Sequence, residues 1–293
     1  MGASQSRSRS SFMPREPKLQ TIFEIISVGY ELLDGRVVNT NASWLAGQIS
    51  SLGGRVSRIT VVGDDVGEIS SAIREAMRRG ADWIITSGGL GPTYDDMTLQ
   101  GVAKAAGRRL ALNKRALEMI KKRYEELARE GVVESAELTP PRMKMAMLPR
   151  GAKPLENEVG TAPGVLLRAG GSWIVCLPGV PSELQDIFLK RVKPILEKKI
   201  RKIASADRWI HVKGVPESVL APRIDELRAE APGLYIKSHP DKREGTSFIR
   251  VYLRIIGRRK QACERILDEI EEKLIKAVKE LGGEILKPEG EAG

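Results

Sequence analysis

The sequence predicts an α/β protein, a mostly parallel sheet covered by helices, followed by a smaller α+β domain. Three observations carry this. Short β-branched runs at 23–28, 56–62 and 83–86 alternate with helical patterns, as in βαβ units. A glycine-rich bend, Ser87-Gly88-Gly89-Leu90-Gly91-Pro92-Thr93-Tyr94-Asp95-Asp96-Met97-Thr98, joins the third run to a helix with Leu99, Val102, Ala103 and Ala106 on one face. Beyond about residue 204 the order becomes β-α-β-β-α-β.

Residues 1–18 are rich in Ser and Arg without periodicity and are expected to form a disordered basic arm. The first strand runs into Gly29-Tyr30-Glu31-Leu32-Leu33-Asp34-Gly35. Asn39, Thr40 and Asn41 offer N-caps to a helix with Trp44, Leu45, Ile49 and Leu52 inward. The second strand closes on Gly63-Asp64-Asp65, and both acids read as caps for a helix over 66–79 ended by Gly80. This order requires right-handed crossovers. Residues 113–130 form a charged amphipathic helix, Pro140-Pro141 marks a polar connection, and 144–148 reads as a strand. Strands at 165–167 and 173–177 flank a hairpin turn at Ala169-Gly170-Gly171-Ser172. Ser182 and Gln185 fit a capping box for one helix running to about residue 199. Strands at 209–212, 234–237, 248–256 and 284–286, with helices at 217–229 and 261–281, suggest a ferredoxin-like or KH-like domain. The expected domains are therefore 19–203 and 204–293.

The length of 293 residues gives room for two cores. No apolar run approaches the ~20 residues of a membrane span, and no signal peptide is evident, so the cytoplasm is expected. Cys176 and Cys263 form no metal motif and are expected in cores under reducing conditions. His211 in a strand and His239 in a turn before Pro240 read as structural. A net charge of +10, from Lys+Arg 48 against Asp+Glu 38, favours anionic partners. Aromatics at 4% argue against a base-stacking surface.

The bend has the chemistry of a phosphate site. Gly88, Gly89 and Gly91 would let N–H groups approach an anion without Cβ obstruction, and a helix start adds partial positive charge. Of Asp95 and Asp96, one would cap the helix and the other hold a divalent cation bridging to phosphate. The bend is neither a Walker A nor a Rossmann fingerprint. Two more glycine-bearing segments, Asn157-Glu158-Val159-Gly160-Thr161-Ala162-Pro163-Gly164 and Leu177-Pro178-Gly179-Val180-Pro181-Ser182-Glu183, suggest a shared crevice at the strand C-termini.

Taken together, these motifs resemble the CinA family (competence/damage-inducible protein A) and, more distantly, the molybdopterin-binding domains of molybdenum-cofactor synthesis. The likeness rests on the segment from Gly29 to Gly35, Asn39-Thr40-Asn41, the bend, Asn157 with Gly160-Thr161-Ala162-Pro163-Gly164, and the segment from Leu177 to Glu183. It covers about residues 22–200, and the second domain resembles the family's KH-type domain. The resemblance implies a three-layer molybdopterin-binding-like fold and metal-dependent cleavage of the ADP-ribose pyrophosphate. Many bacterial members also carry a nicotinamide-mononucleotide deamidase domain; that activity is not expected for this sequence, which stops at Gly293. Tyr30 departs from the small or hydroxyl residue expected before the Glu.

The leading expectation is therefore a pyrophosphatase acting on ADP-ribose or a related nucleotide with Mg, Mn or Co. Glu31, Asp95 and Asp96 would be catalytic and metal-binding; Gly88, Gly89, Gly91, Thr93, Asn157, Gly179 and Ser182 would contact substrate. One alternative is nucleotidyl transfer to molybdopterin, although the loop of those domains usually continues to Arg-Asp where this one has Tyr94-Asp95-Asp96. Another is a non-catalytic nucleic-acid-binding protein, disfavoured by the sparse aromatics and by the missing Gly-x-x-Gly clamp. No membrane partner is expected, and a homo-oligomer is expected by analogy.

Overall fold

The computed structural model describes residues 20–201, 203–231, 233–243, 246–257 and 259–286. The expected arm at 1–18 lies outside them. The described chain divides into a unit spanning Gln20–Arg201 and a second built from the residues that follow.

In the first unit, β1 (Ile22–Val28), β2 (Arg55–Val62), β3 (Trp83–Ser87) and β8 (Ser172–Leu177) are parallel. β7 (Gly164–Ala169) and β6 (Lys153–Leu155) extend the sheet antiparallel, giving the order β2-β1-β3-β8-β7-β6. The predicted α/β class with a mostly parallel sheet is what the fold shows. Alternation along β1 explains its two covered faces. Ile26 and Val28 enter one core with Ile69 and Ile73 of α3 (Val66–Arg78), Val102 of α4 (Thr98–Ala105) and Ile120 of α5 (Lys114–Arg129). Phe23 and Ile25 enter the other with Leu45 and Ile49 of α2 (Thr40–Ser51) and Leu184 and Phe188 beyond β8. On that second face Phe23, Trp83 and Trp173 stack in register across β1, β3 and β8, centroids 6.1 and 5.5 Å apart.

Caps fall largely where the sequence placed them. Asn39 accepts from the Ala42 amide and Asp65 from those of Gly67 and Glu68; Asn113, expected as the first residue of the 113–130 helix, instead caps it by accepting from the Ala116 amide. Three expectations fail locally. Residues 144–148 are not one strand: Pro140-Pro141 opens a short helix, α6 (Pro140–Lys144), and only Met147–Pro149 (β5) is extended, paired with β4 (Leu110–Leu112). Ser182 and Gln185 make no capping box; Val180 is the N-cap and Pro181 leads α7 (Pro181–Ile187). Nor does that helix continue unbroken. A π segment, Phe188–Val192, intervenes before α8 (Lys193–Lys199), because Pro194 has no N–H to bond back along an α-helix.

The second unit follows the expected order: β9 (Ala204–Lys213), α9 (Glu217–Glu230), β10 (Leu234–Arg243), β11 (Thr246–Gly257), α10 (Lys260–Glu280) and β12 (Glu284–Leu286). Its sheet is antiparallel, ordered β10-β11-β9-β12, which is a ferredoxin-like arrangement. His239 lies within β10, not in a turn, and Pro240 is tolerated because β10 is an edge strand. Both cysteines are buried and free, and burial pushes the Cys176 thiol up to about 12. Among the described residues no helix is long and apolar enough to cross a membrane.

One buried charge ties the first strand to a helix end. Glu24 is only 2% exposed, and Arg79 grips both its oxygens, at 2.9 and 2.7 Å. Arg79→Met strands this carboxylate in the sheet and should cost about 3 kcal/mol. Urea unfolding should show that loss, with part of it restored in the Glu24→Gln, Arg79→Met double variant.

Candidate functional site

The sheet reverses its winding between β1 and β3: the chain moves outward from β1 to β2, then returns to the other side of β1. Helices on opposite faces diverge there, leaving a crevice beyond the strand C-termini. An open crevice of about 430 Å³ occupies that position. Four strand ends feed it: Val28 and Glu31 after β1, Asp64 after β2, the bend after β3, and Pro178, Gly179 and Val180 after β8.

The bend's glycines serve different ends. Gly88 has φ +106°, and a Cβ there would lie 2.3 Å from the Val28 carbonyl oxygen. Its N–H already donates to the Leu177 carbonyl, at 3.0 Å. Gly88 therefore joins three strand ends and has no amide to offer a phosphate, which corrects its expected role. Gly89, at φ +66°, brings its carbonyl to the Thr98 amide, while the Thr98 hydroxyl donates to the Gly88 carbonyl at 2.7 Å. Among the described residues the N–H groups of Gly89, Leu90 and Gly91 have no protein acceptor. These three line the crevice.

Neither Asp95 nor Asp96 caps α4, whose N-cap is Met97 with no side-chain bond. The acids instead gather on Thr93. Its hydroxyl lies 2.5 Å from Asp95 Oδ1 and 2.6 Å from Asp96 Oδ2, and its amide donates to Asp96 at 2.8 Å. Lys144 Nζ donates to the Thr93 carbonyl. The Thr93 hydroxyl, the backbone amide and the nearby Lys144 charge hold the Asp95 carboxyl below its ordinary range. Gly91 must lack a side chain because a Cβ would sit 2.6 Å from Asp96 Oδ2.

Asp64 was expected to cap a helix. Asp65 does that, and Asp64 instead faces the crevice and accepts from the Tyr30 amide at 3.0 Å. Burial raises its carboxyl above the usual range, against the Tyr30 N–H; the charges of Glu31, Asp95 and Asp96 raise it further. Four carboxylates thus share one field. Glu31 folds back over Gly29, and the Tyr30 ring lies over Gly63, filling the place of a Cβ. Among the described residues no three acidic, His or Cys side chains form a ready-made metal cage.

Two predicted contacts lie elsewhere. Ser182 does not line the crevice; its neighbour Glu183 does. Asn157 is buried and fully engaged: it donates to the Ala162 carbonyl at 2.9 Å and to Glu183 at 2.6 Å, and accepts from the Val159 and Gly160 amides. It fixes Glu183 and the loop that presents Thr161 and Ala162. Asn41, read only as a cap, donates to the Gly179 carbonyl at 2.7 Å and to Ser87 at 3.2 Å, tying the β8 loop to β3. Glu31, Gly89, Gly91, Thr93, Asp95, Asp96 and Gly179 do meet in one place.

A family model described as a probable molybdopterin binding domain matches residues 24–198, the stretch that supplies every wall of this crevice. A protein from Aeropyrum pernix is 47% identical over 264 residues, 89% of this chain and 95% of its own. One from Pyrobaculum aerophilum is 43% identical over 256 residues, 87% of this chain and 93% of its own. The solved structure of CinA from Thermoplasma acidophilum, a protein of unknown function, is 43% identical with a TM-score of 0.55, covering 61% of this chain and 99% of that one. The chain belongs to the family of probable molybdopterin-binding domains, with a CinA-like sequence.

Proposed function

We propose that the crevice binds a molybdopterin-type pterin by its phosphate and supports adenylyl transfer to that phosphate. The observation that carries the reading is the line of unpartnered amides at Gly89, Leu90 and Gly91 beside the Glu31, Asp64, Asp95 and Asp96 carboxylates. Amides without acceptors suit phosphate oxygens, and carboxylates beside them make sense when a cation completes the charge. Asp95 and Asp96, aligned by Thr93, fit a divalent ion that uses one or two protein carboxylates and takes its other ligands from phosphate and water. Such an ion, as Mg, Mn or Co, would neutralise charge developing on the transferred phosphoryl group. The amides orient the acceptor phosphate, whose oxygen attacks the α-phosphorus of ATP as pyrophosphate leaves. Glu31 and Glu183 stand at the rim as further polar walls.

The family match favours this reading over the ADP-ribose pyrophosphatase expected from the sequence. Hydrolysis remains the second reading for one reason: Tyr94-Asp95-Asp96 stands where pterin-adenylylating loops carry Arg-Asp, and the extra acid suits orienting a water. In that case water replaces the pterin phosphate as nucleophile.

Incubation with molybdopterin, ATP and each metal, resolved by chromatography, should give adenylylated pterin and pyrophosphate. ADP-ribose cleaved to AMP and ribose 5-phosphate, with no pterin retained, would put the second reading first. Retention of neither ligand would end both. Asp96→Asn should lower turnover by at least about 100-fold, as loss of a charge-stabilising group does. Asp64 gives a separate check. With its carboxyl raised in the folded state, stability is full below the ordinary value near 3.8 and falls as pH rises through the raised value. Asp64→Asn should therefore raise Tm at pH 7 and leave it unchanged at pH 3, and Mg should stabilise the wild type more than the variant.

A further inference from the structure

Strand alternation in the second unit sends Ile210 and Val212 of β9, Val251 and Leu253 of β11 and Ile236 of β10 into the core with α9 and α10. The alternate residues stand on the other face, which no element of that unit covers among the described residues. Cross-strand register arranges them in rows. Lys237, Tyr252 and Trp209 form the central row; Tyr235, Arg254 and Asp207 flank it on one side; His239, Arg250 and His211 flank it on the other.

The rings on this face form a connected patch. Trp209 and Tyr252 lie 4.8 Å apart by centroid, Tyr252 and Tyr235 6.3 Å, and Trp209 and His239 5.5 Å. Trp209 is 48% exposed and Tyr235 49%, on a domain whose interior is aliphatic. The Arg250 guanidinium lies 6.0 Å from the Trp209 ring. Arg254 Nε is buried without a hydrogen-bond partner among the described residues. Lys237, Arg250 and Arg254 face a single acid in these rows, Asp207.

We propose that this face binds single-stranded RNA. Rings on the two central strands of a β-α-β-β-α-β sheet are the device by which RNA-recognition sheets stack unpaired bases; here Trp209 on β9 is exposed, Tyr252 on β11 is half-buried, and Tyr235 on the edge strand β10 extends the patch. The rings supply stacking surface and the flanking cations match the phosphates. Duplexes are excluded because their bases are already stacked. Asp207, the acceptor on a cationic face, suits a donor, and ribose offers one in the 2′-hydroxyl that DNA lacks. The sparse aromatics of the whole sequence conceal this, because pairing gathers distant positions onto one surface.

Fluorescence anisotropy of a labelled ten-nucleotide single-stranded RNA with the full chain, at 50 and 200 mM salt, tests the proposal. Trp209→Ala and Tyr252→Ala should each weaken binding about 5- to 150-fold, while Trp209→Phe keeps most of it. Arg250→Gln and Arg254→Gln should each flatten the log–log salt slope by about 0.7. DNA of the same sequence should bind more weakly. The proposal is overturned by any of four outcomes: no retention at 50 mM salt, binding unmoved by both aromatic variants with melting intact, DNA or duplex bound as tightly, or a dimer lost in Trp209→Ala with no RNA held. Tyr252→Ala and Arg250→Gln keep the test open should Trp209→Ala fail to fold. These readouts do not depend on pterin or nucleotide turnover.

Discussion

The contact on which the first unit depends is the meeting of three strands at Gly88. Its amide is spent on the Leu177 carbonyl, and its α-carbon presses so close to the Val28 carbonyl that no side chain fits. This closes β1, β3 and β8 into one platform and sends the following residues outward. Thr98 then draws the returning chain against the Gly88 and Gly89 carbonyls. Between these fixed points the amides of Gly89, Leu90 and Gly91 line the crevice with no protein acceptor among the described residues. The anion-binding potential of the bend therefore comes from its middle, and its first glycine is architectural.

Much of this was legible in the sequence because it is periodic or local. β-Branched runs gave the parallel strands, and Asn39 and Asp65 preceded helical faces, so their caps followed. What escaped the sequence depends on competition or distance. Asp64 and Asp65 are adjacent and equally able to cap; only the path of β2 gives the helix to Asp65 and the crevice to Asp64. Asn157 and Glu183, 26 residues apart, meet across the sheet end. The segment from Gly29 to Gly35 shows the limit in another way, since Glu31 lies where expected but turns back on Gly29. Ser182 was expected at the substrate, yet Val180 caps a helix led by Pro181, and Glu183, not Ser182, lines the crevice. The short β4 and β6 strands, three residues each, lie below what alternation can reveal.

Charge organises both units differently. In the first, carboxylates crowd the strand ends, and burial together with that crowding raises the Asp64 carboxyl. In the second, Arg208 answers Glu264, Asp268 and Glu271 of α10 at 3.1, 2.8 and 3.3 Å, so strand and helix are bound by complementary charge on the covered side. On the opposite face Lys237, Arg250 and Arg254 share the rows with Asp207, and among the described residues none of the three cations has an ion pair within 4.0 Å.

The two asparagines have a consequence for how the crevice receives a guest. Asn41 straps one wall to the platform and Asn157 braces another, each through its carboxamide and before any guest arrives. Walls held in this way have little motional freedom left to surrender, so under the proposed pterin reading selectivity would come from fit to a rigid mould, and a molecule of the wrong outline would not be accommodated by reshaping the rim.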